Sequence, residues 1–212
     1  MHGELRIVDD VPAAFAALVV AEAPTSIALS GGGTARTAYE ELVGADVAWD
    51  TVDVYFGDER WVPIDDAESN EGMARTVLLD RVHPGAVHSL RNAGATLEEA
   101  AVAYDTRVAA APPIGLVHLG LGPDGHTASL FPGTAALDVD DRLVVPNGDD
   151  LHPYPRLTFT LPALARSRLV VFTVAGAEKR DALARVQRGD DLPAARVAAH
   201  RVVWLADAAA VG

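Results

Sequence analysis

Ile114-Gly115-Leu116-Val117-His118-Leu119 runs directly into Gly120-Leu121-Gly122-Pro123-Asp124-Gly125-His126-Thr127-Ala128-Ser129-Leu130-Phe131-Pro132-Gly133. The first segment is an apolar run bounded by proline and glycine, the pattern of a buried central strand. Asp124, Gly125 and His126 therefore fall just past the strand's carboxyl end, where open α/β sheets bind their ligands. Four glycines and two prolines in the second segment make the turn sharp, so the backbone can approach a ligand and carry the two polar side chains on a stiff support. On its own an Asp-Gly-His fits an ordinary turn, with Asp124 capping and His126 in solvent. Its place after a buried strand, and the segments around it, favour a site.

Upstream, Leu5–Val8 reads as an edge strand, and Pro12 opens an alanine-rich helix over Ala13–Glu22. The strand Thr25–Ser30 passes into Gly31-Gly32-Gly33-Thr34 and then a helical pattern over Ala35–Val43 that stops at Gly44. A strand, a glycine turn and a helix start in that order present unpaired N–H groups and a positive helix end, a ready phosphate site. The turn is neither the dinucleotide fingerprint nor the Walker loop. It also fits a plain tight strand-to-helix connection. Val52–Phe56 is the next strand, ending in Gly57-Asp58-Glu59-Arg60-Trp61-Val62-Pro63, which reads as a charged loop anchored by Trp61. Ser69 or Asn70 caps the amphipathic helix that follows, and Leu97–Ala111 is a further helix.

Downstream of the histidine loop, Leu143–Val145 is a short strand. Asn147–Asp150 and Pro153–Pro155 read as a connecting loop that delivers Arg156 to the run Leu157–Leu161. Leu169–Ala175 is a second fully buried strand, Gly176 turns the chain, and a helix over Glu178–Val186 carries Lys179 in its first turn. Arg201–Leu205 supplies a last strand. This strand–helix alternation predicts one α/β domain over 1–212, with a mostly parallel open sheet and helices on both faces. Four loops then gather along one rim: Gly31–Thr34, Asp58–Arg60, Asp124–His126 and Gly176–Lys179.

Composition narrows the chemistry. A chain of 212 residues without cysteine can bury a core unaided. It has no disulfides, thiolate nucleophiles or cysteine-ligated metal sites, which fits a reducing compartment. The start, Met1–Arg6, has no basic segment leading into a long apolar stretch, and no apolar run reaches the roughly 18 residues of a membrane span. A cytoplasmic location is expected. A net charge of −13 argues against nucleic acid or an anionic membrane as partner, so any anionic ligand needs a local positive site. Of 17 basic residues 16 are arginine, and Lys179 is the single lysine. An ammonium in a helix's first turn opposes the helix dipole, which suits it to meeting an anion.

Together, Ser30–Thr34, Gly57–Pro63 with Glu68-Ser69-Asn70, Gly120–Gly133, Arg156–Pro162, and Ala175-Gly176 with Lys179 resemble the 6-phosphogluconolactonases, in that family's order and over nearly the whole chain. The run Asp124–Gly133 is the specific part, because the related glucosamine-6-phosphate deaminases continue their Asp-Gly-His loop differently. The chain is a little shorter than the family leads one to expect, with no motif missing. The resemblance implies a deaminase/isomerase-like fold and hydrolysis of 6-phosphoglucono-δ-lactone to 6-phosphogluconate in the oxidative pentose phosphate pathway, with no metal and no cofactor. It implies His126 as the base that activates water. Asp124 would orient the ring or meet the sugar, and Arg60 or a backbone N–H would stabilise the oxyanion. Ser30, Gly31, Gly32, Gly33, Thr34 and Lys179 would hold the 6-phosphate, with Asp58 and Arg156 completing the substrate site. Which arginine meets phosphate and which the lactone end stays open.

The chemistry agrees. A lactone is an activated ester, and no Gly-x-Ser-x-Gly elbow is present to supply a covalent nucleophile. A neutral imidazole near pKa 6.5 suits proton removal from water, and the neighbouring carboxylate is expected to shift it upward. A phosphosugar deaminase or isomerase on the same scaffold, and a non-catalytic phosphosugar-binding regulator, are the other readings. A monomer or weak homo-oligomer is expected.

Overall fold

The computed structural model describes residues 1–212. Its strands are β1 (Glu4–Ile7), β2 (Ser26–Leu29), β3 (Asp53–Phe56), β4 (Asp58–Arg60), β5 (Ala86–Val87), β6 (Leu116–Gly120), β7 (Val144–Asp149), β8 (His152–Phe159), β9 (Leu169–Val174) and β10 (Arg201–Ala206). The principal helices are α1 (Val11–Glu22), α2 (Gly33–Leu42), α3 (Asn70–Ala74), α4 (Asp80–Val82), α5 (Leu97–Ala110), α6 (Leu161–Arg166) and α7 (Arg180–Arg188). Seven strands form one sheet in the order β1-β10-β9-β6-β2-β3-β5, and every pairing in it is parallel. All six residues of β9 are buried, as are Leu116–Leu119 of β6, so both faces of the sheet's centre are covered. That is why these strands read as continuous apolar runs and not as alternating ones.

Topology places the crevice. The strands after β2 are laid down toward β5, whereas those after β6 are laid down toward β1. The loops leaving β2 and β6 thus diverge, which is the switch point where ligands bind in such sheets. Side-chain caps mark the starts of α1, α3 and α5: Asp10 accepts from the Ala13 N–H at 2.9 Å, Ser69 from the Gly72 N–H at 3.0 Å, and Thr96 with Glu99 forms a capping box on α5. Helix α2, at the switch point, follows Gly32 with no side-chain cap.

A second sheet departs from the expected plan. Asp58–Arg60 is a strand and not a loop, and the stretch expected to connect residues 147–155 is a β-hairpin. The two make the antiparallel sheet β4-β8-β7. Its register sets Arg60 directly opposite Arg156. Tyr104 of α5 donates to the His88 carbonyl at 3.1 Å, accepts from the Phe56 N–H at 2.9 Å, and stands beside Phe159, tying this sheet to the main one.

His118 is fully buried in β6, against the Phe15 ring at 4.2 Å between centroids. Its Nδ1 lies 2.8 Å from the Tyr39 hydroxyl and its Nε2 2.8 Å from Thr173 Oγ1. Burial pushes its pKa down to about 3, so the ring stays neutral while the unfolded chain protonates near 6.5. A folded-state pKa below the unfolded value leaves stability intact above about pH 6.5. Below it, about 1.4 kcal/mol is lost per pH unit. Urea unfolding at pH 7.5 and 5.0 should show His118→Gln losing about 2 kcal/mol less than the parent on acidification. Equal losses would mean that His118 is not held neutral.

Candidate active site

The carboxyl ends of β2, β6 and β9, with β4 and the middle of β8, surround a cavity of about 220 Å³. Ser30, Gly31, Gly32, Gly33, Thr34, Asp58, Arg60, His126, Arg156 and Lys179 all line it. Asp124 does not; it stands behind the histidine, with Oδ1 2.5 Å from His126 Nδ1 and 3.1 Å from the His126 N–H. The structure thus brings the sequence candidates into one place. It adds Asn70 and Thr173 to the wall.

Close approaches fix the histidine. Gly122 donates to the His126 carbonyl at 2.9 Å, and a Cβ at residue 122 would stand 2.1 Å from Nδ1, so only glycine leaves room for the ring beside Asp124. The ring also lies edge-on to Phe131, at 5.1 Å, and to His152, at 5.4 Å. Asp124 is a carboxylate acceptor, so Nδ1 carries the proton and Nε2 is left as the basic nitrogen. The expected rise in the His126 pKa is corrected here. Burial is the largest influence and pushes it below the usual value, with Asp124 opposing and the positive form of His152 assisting. The same contacts hold Asp124 below the usual carboxylate range against its own desolvation.

Two arginines and a lysine line the same cavity, although the chain carries −13 overall. Arg60 Nη1 donates to the Glu68 carbonyl at 2.7 Å and to Asn70 Oδ1 at 2.9 Å. A Cβ on Gly31 would meet that same Asn70 oxygen at 1.8 Å, so the glycine turn and Arg60 close on one amide. Glu59, buried below, accepts from the N–H groups of Arg60, Asn70 and Glu71 and from Ser69 Oγ at 2.8–2.9 Å, which anchors β4 to the start of α3. Arg156 is only 7 % exposed and its Nε has no partner; Arg60 Nε and Ser30 Oγ are likewise buried and unpaired. Buried polar atoms without partners mark a site built for a polar ligand. Asp58 is the one carboxylate in the wall, and it accepts from Ser129 Oγ at 2.7 Å.

Lys179 closes a short 3₁₀ turn, Ala177–Lys179, and stands at the N-cap of α7, one residue before the helix that was expected to contain it. Its ammonium enters no ion pair, and the uncapped start of α2 shares the cavity with it. No three metal-ligating side chains converge anywhere in the chain. No helix is long and apolar enough to cross a membrane.

Comparison with known proteins follows the same lines. The 6-phosphogluconolactonase of Synechocystis is 45% identical over 171 residues, covering 76% of this chain and 70% of its own. The crystal structure of the Thermotoga maritima 6-phosphogluconolactonase superposes with a TM-score of 0.86 at 28% identity, over 96% of this chain and 99% of the other. A monomeric glucosamine-6-phosphate deaminase shares the fold, with a TM-score of 0.85 at 18% identity over 98% of each chain. The sequence profile of the glucosamine-6-phosphate isomerases and 6-phosphogluconolactonases matches residues 5–204, and the chain belongs to that family.

Proposed function

We propose that the protein hydrolyses 6-phosphoglucono-δ-lactone to 6-phosphogluconate, with His126 as general base. The observation that carries this reading is the placing of an Asp124-oriented imidazole in one cavity with an uncapped helix start and unpaired Lys179 and Arg156. One end suits a phosphate and the other suits removal of a proton from water. His126 Nε2 takes that proton as the hydroxide oxygen adds to the lactone carbonyl carbon. The oxyanion that forms is met by the guanidinium groups of the β4–β8 pair, whose desolvated donors favour charge that develops there. Collapse breaks the bond to the ring oxygen, which receives the proton from the imidazolium, and the new carboxylic acid ionises.

Purified protein offered 6-phosphogluconolactone and, separately, glucosamine 6-phosphate should release acid from the first and no ammonia from the second. Ammonia release would establish the deaminase reading instead. Lys179→Ala should raise KM for the lactone by one or more orders of magnitude with kcat little changed, since a desolvated charged contact contributes about 2–5 kcal/mol. Inorganic phosphate should inhibit the parent competitively. An unchanged KM in the variant would remove Lys179 from the phosphate site.

A further inference from the structure

We propose that Thr173 binds the ligand's phosphate, donating a hydrogen bond whose direction is set by a buried relay through Tyr39 and His118. The inference rests on the phosphate end assigned above. Thr173 is the penultimate residue of β9, paired in register with Gly120 of β6, and β6 in turn lies beside β2. It therefore forms cavity wall between the glycine turn after β2 and Lys179 after β9.

The contacts allow two polarities, and their lengths favour one. The Ser30 N–H donates to the Tyr39 hydroxyl at 2.7 Å, so that oxygen is an acceptor and has one proton left to give. Two acceptors compete for it, the Ser30 carbonyl at 3.2 Å and His118 Nδ1 at 2.8 Å. The shorter contact goes to Nδ1. A neutral imidazole accepting at Nδ1 carries its proton on Nε2, and Nε2 donates to Thr173 Oγ1 at 2.8 Å. Thr173, 3 % exposed as a residue, then receives at its hydroxyl from behind and has no acceptor within the protein for its own proton. That proton is left for the cavity, where an anion accepts it. The relay also holds the backbone N–H of Ser30, the residue that opens the glycine turn, so one buried chain of hydrogen bonds orders two walls of the same site.

Calorimetric titration with inorganic phosphate, run beside lactone kinetics, tests the assignment. Thr173→Val keeps the shape and the β-branched strand residue but removes the donor. It should weaken phosphate binding and raise KM about ten- to hundredfold, with kcat within a few-fold. Thr173→Ser should restore both to near the parent values. Nitrogen NMR of the parent should show His118 as the Nε2–H tautomer, without titration between pH 5.5 and 8. Parent-like phosphate affinity in Thr173→Val, or an Nδ1–H tautomer, overturns the proposal. A parent that binds phosphate through Thr173 and yet leaves the lactone intact supports this contact and overturns the lactonase reading instead.

Discussion

His126→Asn lowers kcat on the lactone by about 10²–10⁴-fold and abolishes the acid limb of kcat, while phosphate binding stays near its original strength. The size follows from removing a general base from a reaction that has no other. The limb follows from the sign of the titration: the base is the neutral imidazole, so kcat falls as pH drops through the His126 pKa. That pKa lies below the ordinary histidine value because burial outweighs the Asp124 carboxylate, so the acid limb should fall at lower pH than an ordinary histidine would give. The substrate phosphate loses its second proton near pH ~6, so kcat/KM mixes two titrations in this range. Saturating substrate separates them, because kcat reports only groups that titrate in the complex. The lactone's spontaneous hydrolysis at high pH is subtracted first. A variant whose kcat stays within a few-fold of the parent, or keeps the acid limb, would assign the proton transfer to another group.

What the sequence shows of this site follows from how local each signal is. The strand Leu116–Gly120 and the loop to His126 are contiguous, and so are β2, the glycine turn and α2; composition and order alone place them. The β4–β8 sheet is a different case. Asp58–Arg60 is three charged residues long, and the partner strand that makes it a strand lies about a hundred residues further on. Within β8, Pro153 and Pro155 have the composition of a loop, but they precede the residues Arg156–Thr158 that pair with β4, where the strand tolerates them. Hence Arg60 and Arg156 were both legible as candidates but not as direct cross-strand neighbours. Long-range burial hid the rest. Asp124 two residues from His126 suggests a raised pKa, whereas Phe131 and His152, which help enclose the ring, enter only through the fold. His118 reads as one residue of an apolar strand until Tyr39 arrives from α2 and Thr173 from β9.

Arg156→Met should make the protein more stable and much less active. Arg156 is 7 % exposed, its Nε is unpaired, and the residue lies directly across the strands from Arg60. Its nearest cover is the face of Phe131, 5.4 Å from the guanidinium carbon. Burial lowers its pKa, with Asp58 opposing and Arg60 assisting, so the charge is held against desolvation and against a like neighbour. A hydrophobic side chain of similar length removes both penalties and keeps the packing on Phe131. The free energy of unfolding in phosphate-free buffer should rise by about 1–2 kcal/mol. The same change removes a fixed donor from the wall facing the reacting lactone, and kcat/KM should fall by about 10²–10³-fold. Urea unfolding with and without inorganic phosphate distinguishes a functional charge from a structural one. Ligand stabilises the parent in proportion to its occupancy, so if Arg156 contributes to holding the anion, added phosphate should narrow or reverse the variant's advantage. A variant that is less stable than the parent in phosphate-free buffer and equally active would show that Arg156 holds the β4–β8 sheet together and does not serve the ligand.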